Sequence, residues 1–162
     1  MNSNDVTPAN IRMAAMNLLS MREHSAKELY NKLAKKFEQI EWINAAIEKL
    51  KSDGLQSDQR FAEAFVSMRL RQGKGALVIR LELREKGVSD AIISQYLSNC
   101  LSDPEQEIDW NELALKAYRK KFGHSAIGDL KDKAKRIRFL TARGFSAANI
   151  NYVFKQSGSD AE

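Results

Sequence analysis

Few side chains of this chain stand at spacings that could support catalysis. His24 and His124 are far apart, and neither has a cysteine or a second histidine at metal-ligand spacing. Each precedes a predicted helix, so we interpret both as residues at the start of a helix or on the surface. Cys100 is the single cysteine, and we expect a small buried hydrophobe there, because a nucleophilic thiol needs a nearby base. We therefore expect no catalytic residue, no metal and no cofactor.

A Gly73-Lys74-Gly75 segment could hold a phosphate group. It lacks the G-x-x-x-x-G-K-[ST] pattern, however, and it follows a predicted helix rather than a strand. The segment favours a tight turn between two helices, in which glycine supplies a positive φ angle. Lys74 would then be available to a partner.

The basic residues carry the clearest functional signal in a chain of net charge +5. Because buried, unpaired charge is costly, much of each basic run must face solvent. Solvated helix faces are one interpretation, and contact with phosphates or with an acidic protein groove is the other. The candidate contact residues lie in two regions, which are Arg69, Arg71, Lys74, Arg80 and Arg84 in the middle of the chain, and Arg119, Lys120, Arg136 and Arg138 nearer its end. No aromatic ladder accompanies them, which argues against a stacking platform for single strands.

The composition favours helix throughout. Of 162 residues, 43% are hydrophobic, only two are proline, and strong helix formers dominate. Apolar residues recur at helical spacing in three blocks of three helices each, and Leu33, Leu83 and Leu140 hold the same position at the end of each second helix. We predict an all-α fold of three tandem three-helix repeats forming an elongated, curved array. The expected repeats are 7–56, 57–101 and 109–157, with an acidic linker at 102–109.

Local patterns predict several helix ends and core positions. Ser25 and Glu28 have the spacing of a capping box. A helix at about 41–52 is expected to bury Ile40, and another is expected at 130–143. We expect Trp42 and Trp110 to pack in the core, with a role as interface anchors the alternative. The other predicted core residues are Phe61, Phe65, Leu83, Phe139 and Phe145.

Three separated motifs resemble the bacterial RecX family over nearly the whole chain. The middle one comprises Asp58-x-Arg60-Phe61-Ala62-x-x-Phe65-Val66-x-x-Arg69, Gly73-x-Gly75 and Ile79-x-x-Glu82-Leu83-x-x-Lys86-Gly87-Val88. The others are Leu19-x-x-Arg22-Glu23-His24-Ser25-x-x-Glu28-Leu29-x-x-Lys32-Leu33 and Phe139-Leu140-x-x-Arg143-Gly144-Phe145-Ser146. The resemblance implies a non-enzymatic regulator that binds the RecA–DNA filament in its helical groove. It also implies inhibition of RecA ATP hydrolysis, strand exchange, co-protease activity and filament growth, and weaker, non-specific binding to single- and double-stranded DNA.

Two other functions stay open from the residues themselves. The Gly87 and Gly144 turns between helices are also typical of a helix-turn-helix DNA-binding module, although no base-reading set of Asn, Gln and Arg starts one helix. An enzyme is disfavoured by the missing catalytic constellation. The polar N-terminus and the absence of a long apolar run favour a cytoplasmic protein without a membrane segment, and we expect a monomer.

Overall fold

The structure, a computed structural model, describes residues 5–97 and 107–159, and within these ranges its regular elements are all helices. This confirms the all-α class. In chain order the helices are α1 (Pro8–Met21), α2 (Ala26–Ala34), α3 (Ile40–Ser52), α4 (Asp58–Arg71), α5 (Ala76–Glu85), α6 (Asp90–Leu97), α7 (Trp110–Phe122), α8 (Leu130–Arg143) and α9 (Ala147–Ser159).

The described residues fall into two compact units. The first contains residues 5–64 and 83–93, and the second contains residues 65–82, 94–97 and 107–159. The core of the first unit is a cluster in which α1, α2 and α3 meet, formed around Ile11, Leu29, Leu33, Ile43 and Leu50. The apolar positions of these short helices recur on one face, so three helices are needed to enclose them.

The core of the second unit lies where α7, α8 and α9 meet. Tyr118, Leu140, Phe145, Ile150 and Val153 are all buried there. The equivalent leucines of the three blocks, Leu33, Leu83 and Leu140, are each at most 1% exposed, as their common position predicts.

Helix starts follow local sequence signals. The side chains of Thr7, Ser25, Asp109 and Asp129 each accept a hydrogen bond from the backbone N–H three residues later. Half of the predicted capping box at Ser25 is wrong, because the Glu28 carboxylate does not return to the helix start. It pairs instead with Arg22 at 2.9 Å and with Lys86 at 3.5 Å.

Two glycines end the second helix of the middle and last blocks in the same way. Gly87 and Gly144 have φ angles of 79° and 103°, which side chains disfavour. The residue after each glycine donates its N–H to a leucine carbonyl at 3.1 Å, from Val88 to Leu83 and from Phe145 to Leu140. The chain therefore reverses into the next helix with its last carbonyls paired.

The Gly73-Lys74-Gly75 segment is the predicted turn between two helices. Gly73 has a φ of 75°. Gly75 serves a different purpose, because a Cβ atom there would lie 2.4 Å from the carbonyl carbon and oxygen of Gly144. The Gly75 N–H donates to the carbonyl of Arg143 at 2.7 Å, so the start of α5 packs backbone to backbone on the end of α8.

Two core predictions are wrong. Ile40 and Trp42, in the first turn of α3, are 52% and 40% exposed, and the buried stripe of this helix begins at Ile43. Phe139 is half-buried and packs against the core of the second unit. The remaining predicted core residues are buried, which are Phe61, Phe65, Leu83, Trp110 and Phe145.

Some predictions lie outside the described residues. These include Cys100 and most of the acidic linker. The repeat boundaries, the elongated, curved array and the monomeric state stay predictions.

Candidate partner-binding surfaces

The predicted contact residues of the middle block differ in how firmly the protein holds them. Arg69 is fixed, because its guanidinium pairs with Glu82 at 2.7 Å, donates to the Gln72 side chain at 2.7 Å and lies over the Phe65 ring. Arg84 pairs with Asp90 at 2.9 Å, but both side chains are more than half exposed. Such an exposed pair contributes little to stability, so Arg84 can exchange Asp90 for an external anion.

Lys74 and Arg80 are partly exposed at positions that local geometry sets. Lys74 stands in the turn between α4 and α5, where its N–H donates to the carbonyl of Arg69 at 3.0 Å. Arg80 lies on α5 between two exposed leucines, Leu77 and Leu81. This part of α5 therefore presents a cation beside apolar side chains, a composition suited to a protein partner.

Arg71 and Lys120, predicted in separate regions, line the same cleft. We call it the basic cleft, a concavity of about 280 Å³ at the ends of α4 and α8 and along α7. Five cations surround it, which are Arg71, Lys116, Lys120, Lys121 and Arg143. All of its lining residues are described, and none of them is acidic. The concentration of positive charge makes it the strongest candidate for an anionic ligand.

Three cations of the basic cleft were not predicted as contact residues. Lys116 and Lys120 are four residues apart, so they share a face of α7, and this spacing is a signal that the sequence does contain. Arg143 ends α8, and its guanidinium donates to the Gln72 carbonyl at 3.1 Å. That contact brings residues from distant parts of the sequence together, and no local pattern predicts it.

Arg136 is not available to a partner, and its assignment to the contact surface is wrong. It is 4% exposed. Its guanidinium donates to the Tyr118 hydroxyl at 2.6 Å and to the carbonyls of Ser125 and Ala126 at 3.0 and 3.2 Å, and it pairs with Asp132 at 3.0 Å. These bonds raise the pKa of Arg136, the bond to Tyr118 most of all. Arg136 thus anchors the loop between α7 and α8.

The other predicted residues of the last block remain accessible to different degrees. Arg138 is exposed on α8 and Arg119 is half-exposed on α7. Without Arg136, the second predicted region consists of Arg119, Lys120 and Arg138, and it is still positively charged.

His24 is buried rather than superficial, although it does precede a helix as predicted. Its Nδ1 lies 3.0 Å from the Arg22 carbonyl, and its Nε2 lies 2.9 Å from the Lys32 ammonium. Burial lowers the pKa of His24, and the positive charges of Arg22 and Lys32 lower it further. A neutral imidazole that accepts a hydrogen bond from Lys32 fits this position.

Neither a metal site nor a membrane span emerges from the described ranges. No group of three or more His, Cys, Asp or Glu side chains there could hold a metal ion. No helix in the same ranges is long and apolar enough to cross a membrane.

Comparison with known proteins gives consistent matches along the chain. Residues 12–50, 57–97 and 107–154 match the models described as the first, second and third three-helix domains of RecX. The chain is 37% identical to the regulatory protein RecX of Pseudomonas savastanoi pv. phaseolicola, over 95% of this chain and 96% of that protein. It is 39% identical to the regulatory protein RecX of Pseudomonas fluorescens, over 94% of this chain and 93% of the relative.

The fold is also similar to that of a solved structure. The crystal structure of RecX from Lactobacillus salivarius superposes with a TM-score of 0.72, at 24% sequence identity, and covers 93% of this chain and 96% of that one. At this identity the likeness supports the fold, and the tandem three-helix organisation is thereby confirmed.

Proposed function

The chain belongs to the RecX family of regulatory proteins, and from this premise we propose that it binds the RecA–DNA filament and inhibits RecA. The proposed site is the helical groove of the filament, and the proposed effects are lower ATP hydrolysis, strand exchange, co-protease activity and filament growth. The observation that carries the proposal is the match of all three domain models in order along one chain. The relatives are named regulatory proteins, so the family is one of regulators rather than enzymes.

The distribution of charge supports contact with a filament of protein and DNA. Arg84 and Arg138 are exposed, Lys74 and Arg80 are partly exposed, and the four come from separate helices and turns. Weak contacts spread along one chain add together when their spacing fits a repeating partner. We propose these residues, with Arg71, Arg119 and Lys120, as the contact set, and bare single- or double-stranded DNA as a weaker, non-specific partner. The protein would act in the cytoplasm as a monomer.

RecA ATP hydrolysis on single-stranded DNA, titrated with this protein, tests the proposal. We expect the rate to fall as protein is added. Strong inhibition at substoichiometric amounts would indicate blocked filament growth, and inhibition only near saturation would indicate that the protein coats the groove. An unchanged rate at saturation would overturn the proposal.

A helix-turn-helix-like DNA-binding module is the second candidate. The glycine turn between α8 and α9 favours it, because that motif joins two helices by a short turn that often contains glycine. Binding to bare duplex DNA with a sequence preference and a steep salt dependence would support this function. Equal, weak binding to unrelated duplexes would leave the filament as the principal partner.

A further inference from the structure

The basic cleft has two kinds of lining that together restrict its ligand. Its rim is formed by the cations Arg71, Lys116, Lys120, Lys121 and Arg143. No carboxylate in the part of the chain that the structure describes forms an ion pair with any of the five. The nearby acids are engaged elsewhere, since Asp109 caps α7 and Glu112 accepts a hydrogen bond from Tyr152. An external anion would therefore offset charges that the described carboxylates leave uncompensated.

The floor of the same cleft is apolar. Leu70, Leu113, Ala117 and Phe139 line it, and each is less exposed than Lys116, Lys120 and Lys121. A simple ion such as phosphate would leave this surface in contact with water, whereas an apolar side chain would cover it and gain the free energy of burial. The ligand that fits both parts is anionic and carries an apolar group.

The contacts that the Phe139 ring already makes favour a peptide over a nucleic-acid strand as the ligand of the cleft. The Lys121 ammonium and the Arg143 guanidinium lie over its ring, 5.9 and 5.3 Å from the centroid. Phe122 meets the same ring at an angle of 84°. Base stacking needs an open aromatic face, and within the cleft the one aromatic ring is already covered by cations. A small concavity with hydrogen-bonding cations and an aliphatic floor instead suits a side chain flanked by carboxylates.

We propose that the basic cleft is a docking site for an acidic peptide segment of a partner protein. One apolar side chain of the segment packs against Leu70, Leu113 and Ala117. Its neighbouring Asp and Glu carboxylates pair with Lys116, Lys120 and Arg71. This interaction site shares Arg71 and Lys120 with the proposed filament contact set and is additional to the contacts of Lys74, Arg80 and Arg84.

Fluorescence anisotropy with synthetic peptides and the full-length chain tests the inference. The probe is a fluorescein-labelled peptide of the sequence Glu-Asp-Glu-Phe-Asp-Glu. One control peptide has Ala in place of Phe, and the other keeps Phe and has Gln and Asn in place of the acids. Labelled oligo-dT is the nucleic-acid probe. The assay contains no recombinase, so its failure is distinct from a failure of the proposed function.

We expect the acidic Phe peptide to bind at least about fivefold more tightly than either control peptide, because each control removes one half of the complementarity. The double substitution Lys116→Ala and Lys120→Ala should weaken its binding by about tenfold or more. The matched variant Lys35→Ala and Lys36→Ala, which removes two exposed cations of the first block, should leave it unchanged.

Three results would overturn the inference. One is equal binding of the Phe and Ala peptides, which would reduce the cleft to a non-specific positive surface. Another is unaltered peptide binding by the Lys116 and Lys120 variant. The third is displacement of the bound peptide by oligo-dT at a lower concentration than unlabelled peptide, which would assign the cleft to nucleic acid.

Discussion

Arg136 and Arg138 are two residues apart on α8, and their environments are opposite. Arg136 is enclosed and makes hydrogen bonds to Tyr118, Ser125 and Ala126, while Arg138 is exposed. A buried guanidinium is tolerated only when its donors are satisfied, and here its partners are two backbone carbonyls, a phenol and a carboxylate. Arg136 is therefore a structural residue within an otherwise basic helix.

We expect Arg136→Ala to lower the free energy of unfolding by about 3 kcal/mol, since it leaves the Tyr118 hydroxyl and two carbonyls without their donor. Urea unfolding followed by circular dichroism measures the change. Arg138→Ala is the control on the same helix, and we expect it to alter stability by no more than about 0.5 kcal/mol. Equal effects of the two substitutions would contradict the structural role of Arg136.

The burial of Arg136 could not be predicted from the neighbouring residues in the sequence. Its spacing from other basic residues suggests an exposed charge, but apart from Asp132 its partners lie on α7 and in the loop after it. Only the packing of α8 against α7 brings them within reach. The positions of Arg71 and Lys120 in one cleft have the same non-local origin.

The buried imidazole of His24 makes the free energy of unfolding depend on pH. Its pKa lies below the usual 6.5 because the imidazole is buried beside Lys32 and Arg22. As the pH falls below 6.5, the unfolded chain binds a proton that the folded chain resists. The contribution of His24 to stability is therefore full above 6.5 and is lost as the pH falls toward the folded pKa.

We expect the free energy of unfolding to decrease between pH 7.5 and 5.5, by at most about 1.4 kcal/mol per pH unit from this one group. His24→Gln should flatten the dependence, and His124→Gln, at an exposed histidine, should not. Chemical denaturation at each pH gives the values. Asp53 and Asp132, whose pKa values are also lowered, change charge below 3.8 and stay outside this range. An unchanged slope in His24→Gln would contradict the assignment.

At the scale of the elements, the contact between the start of α5 and the end of α8 depends on two glycines. Gly75 immediately precedes α5 and Gly144 immediately follows α8, and the backbones of the two glycines are in contact. The Leu77 N–H donates to the Gly144 carbonyl at 3.0 Å, next to the bond from Gly75 to Arg143. No side chain fits between these segments, so both positions require glycine for space, and Gly144 also requires it for its φ angle.

Gly75→Ala should cost about 2–3 kcal/mol of unfolding free energy, because the added Cβ meets backbone that cannot turn aside. Thermal and urea unfolding would both report the loss. Gly158→Ala is the matched control, since a Cβ there meets no atom within 4 Å, and alanine in α9 should be neutral or slightly stabilising. A Gly75→Ala protein as stable as the wild type would show that the two segments separate easily.

The helices themselves were largely predictable, because their signals are local. Asp129 caps α8, Gly144 ends it, and the helix spans the residues expected from the sequence. The repeat pattern was likewise visible in the recurring leucines. The close approach of Gly75 and Gly144 could not be predicted. The sequence indicates a turn at Gly75, but it does not indicate which other backbone segment packs against that turn.

At the scale of the whole molecule, three three-helix repeats place cations on separate helices rather than in one catalytic pocket. Lys74 and Arg80 belong to the middle repeat, and the basic cleft is formed largely by the last. We expect a regulator whose binding to the RecA–DNA filament depends on accessible charge, with stability supplied by other residues.

RecA ATP hydrolysis on single-stranded DNA tests that central claim most directly when wild-type protein is compared with a Lys74→Glu and Arg80→Glu variant. The matched control is Lys35→Glu and Lys36→Glu, which changes the net charge equally at exposed positions of the first repeat. We predict that wild type and control inhibit at the same concentration, and that the Lys74 and Arg80 variant needs about tenfold more protein. Equal inhibition by all three proteins, with unchanged melting curves, would contradict the account.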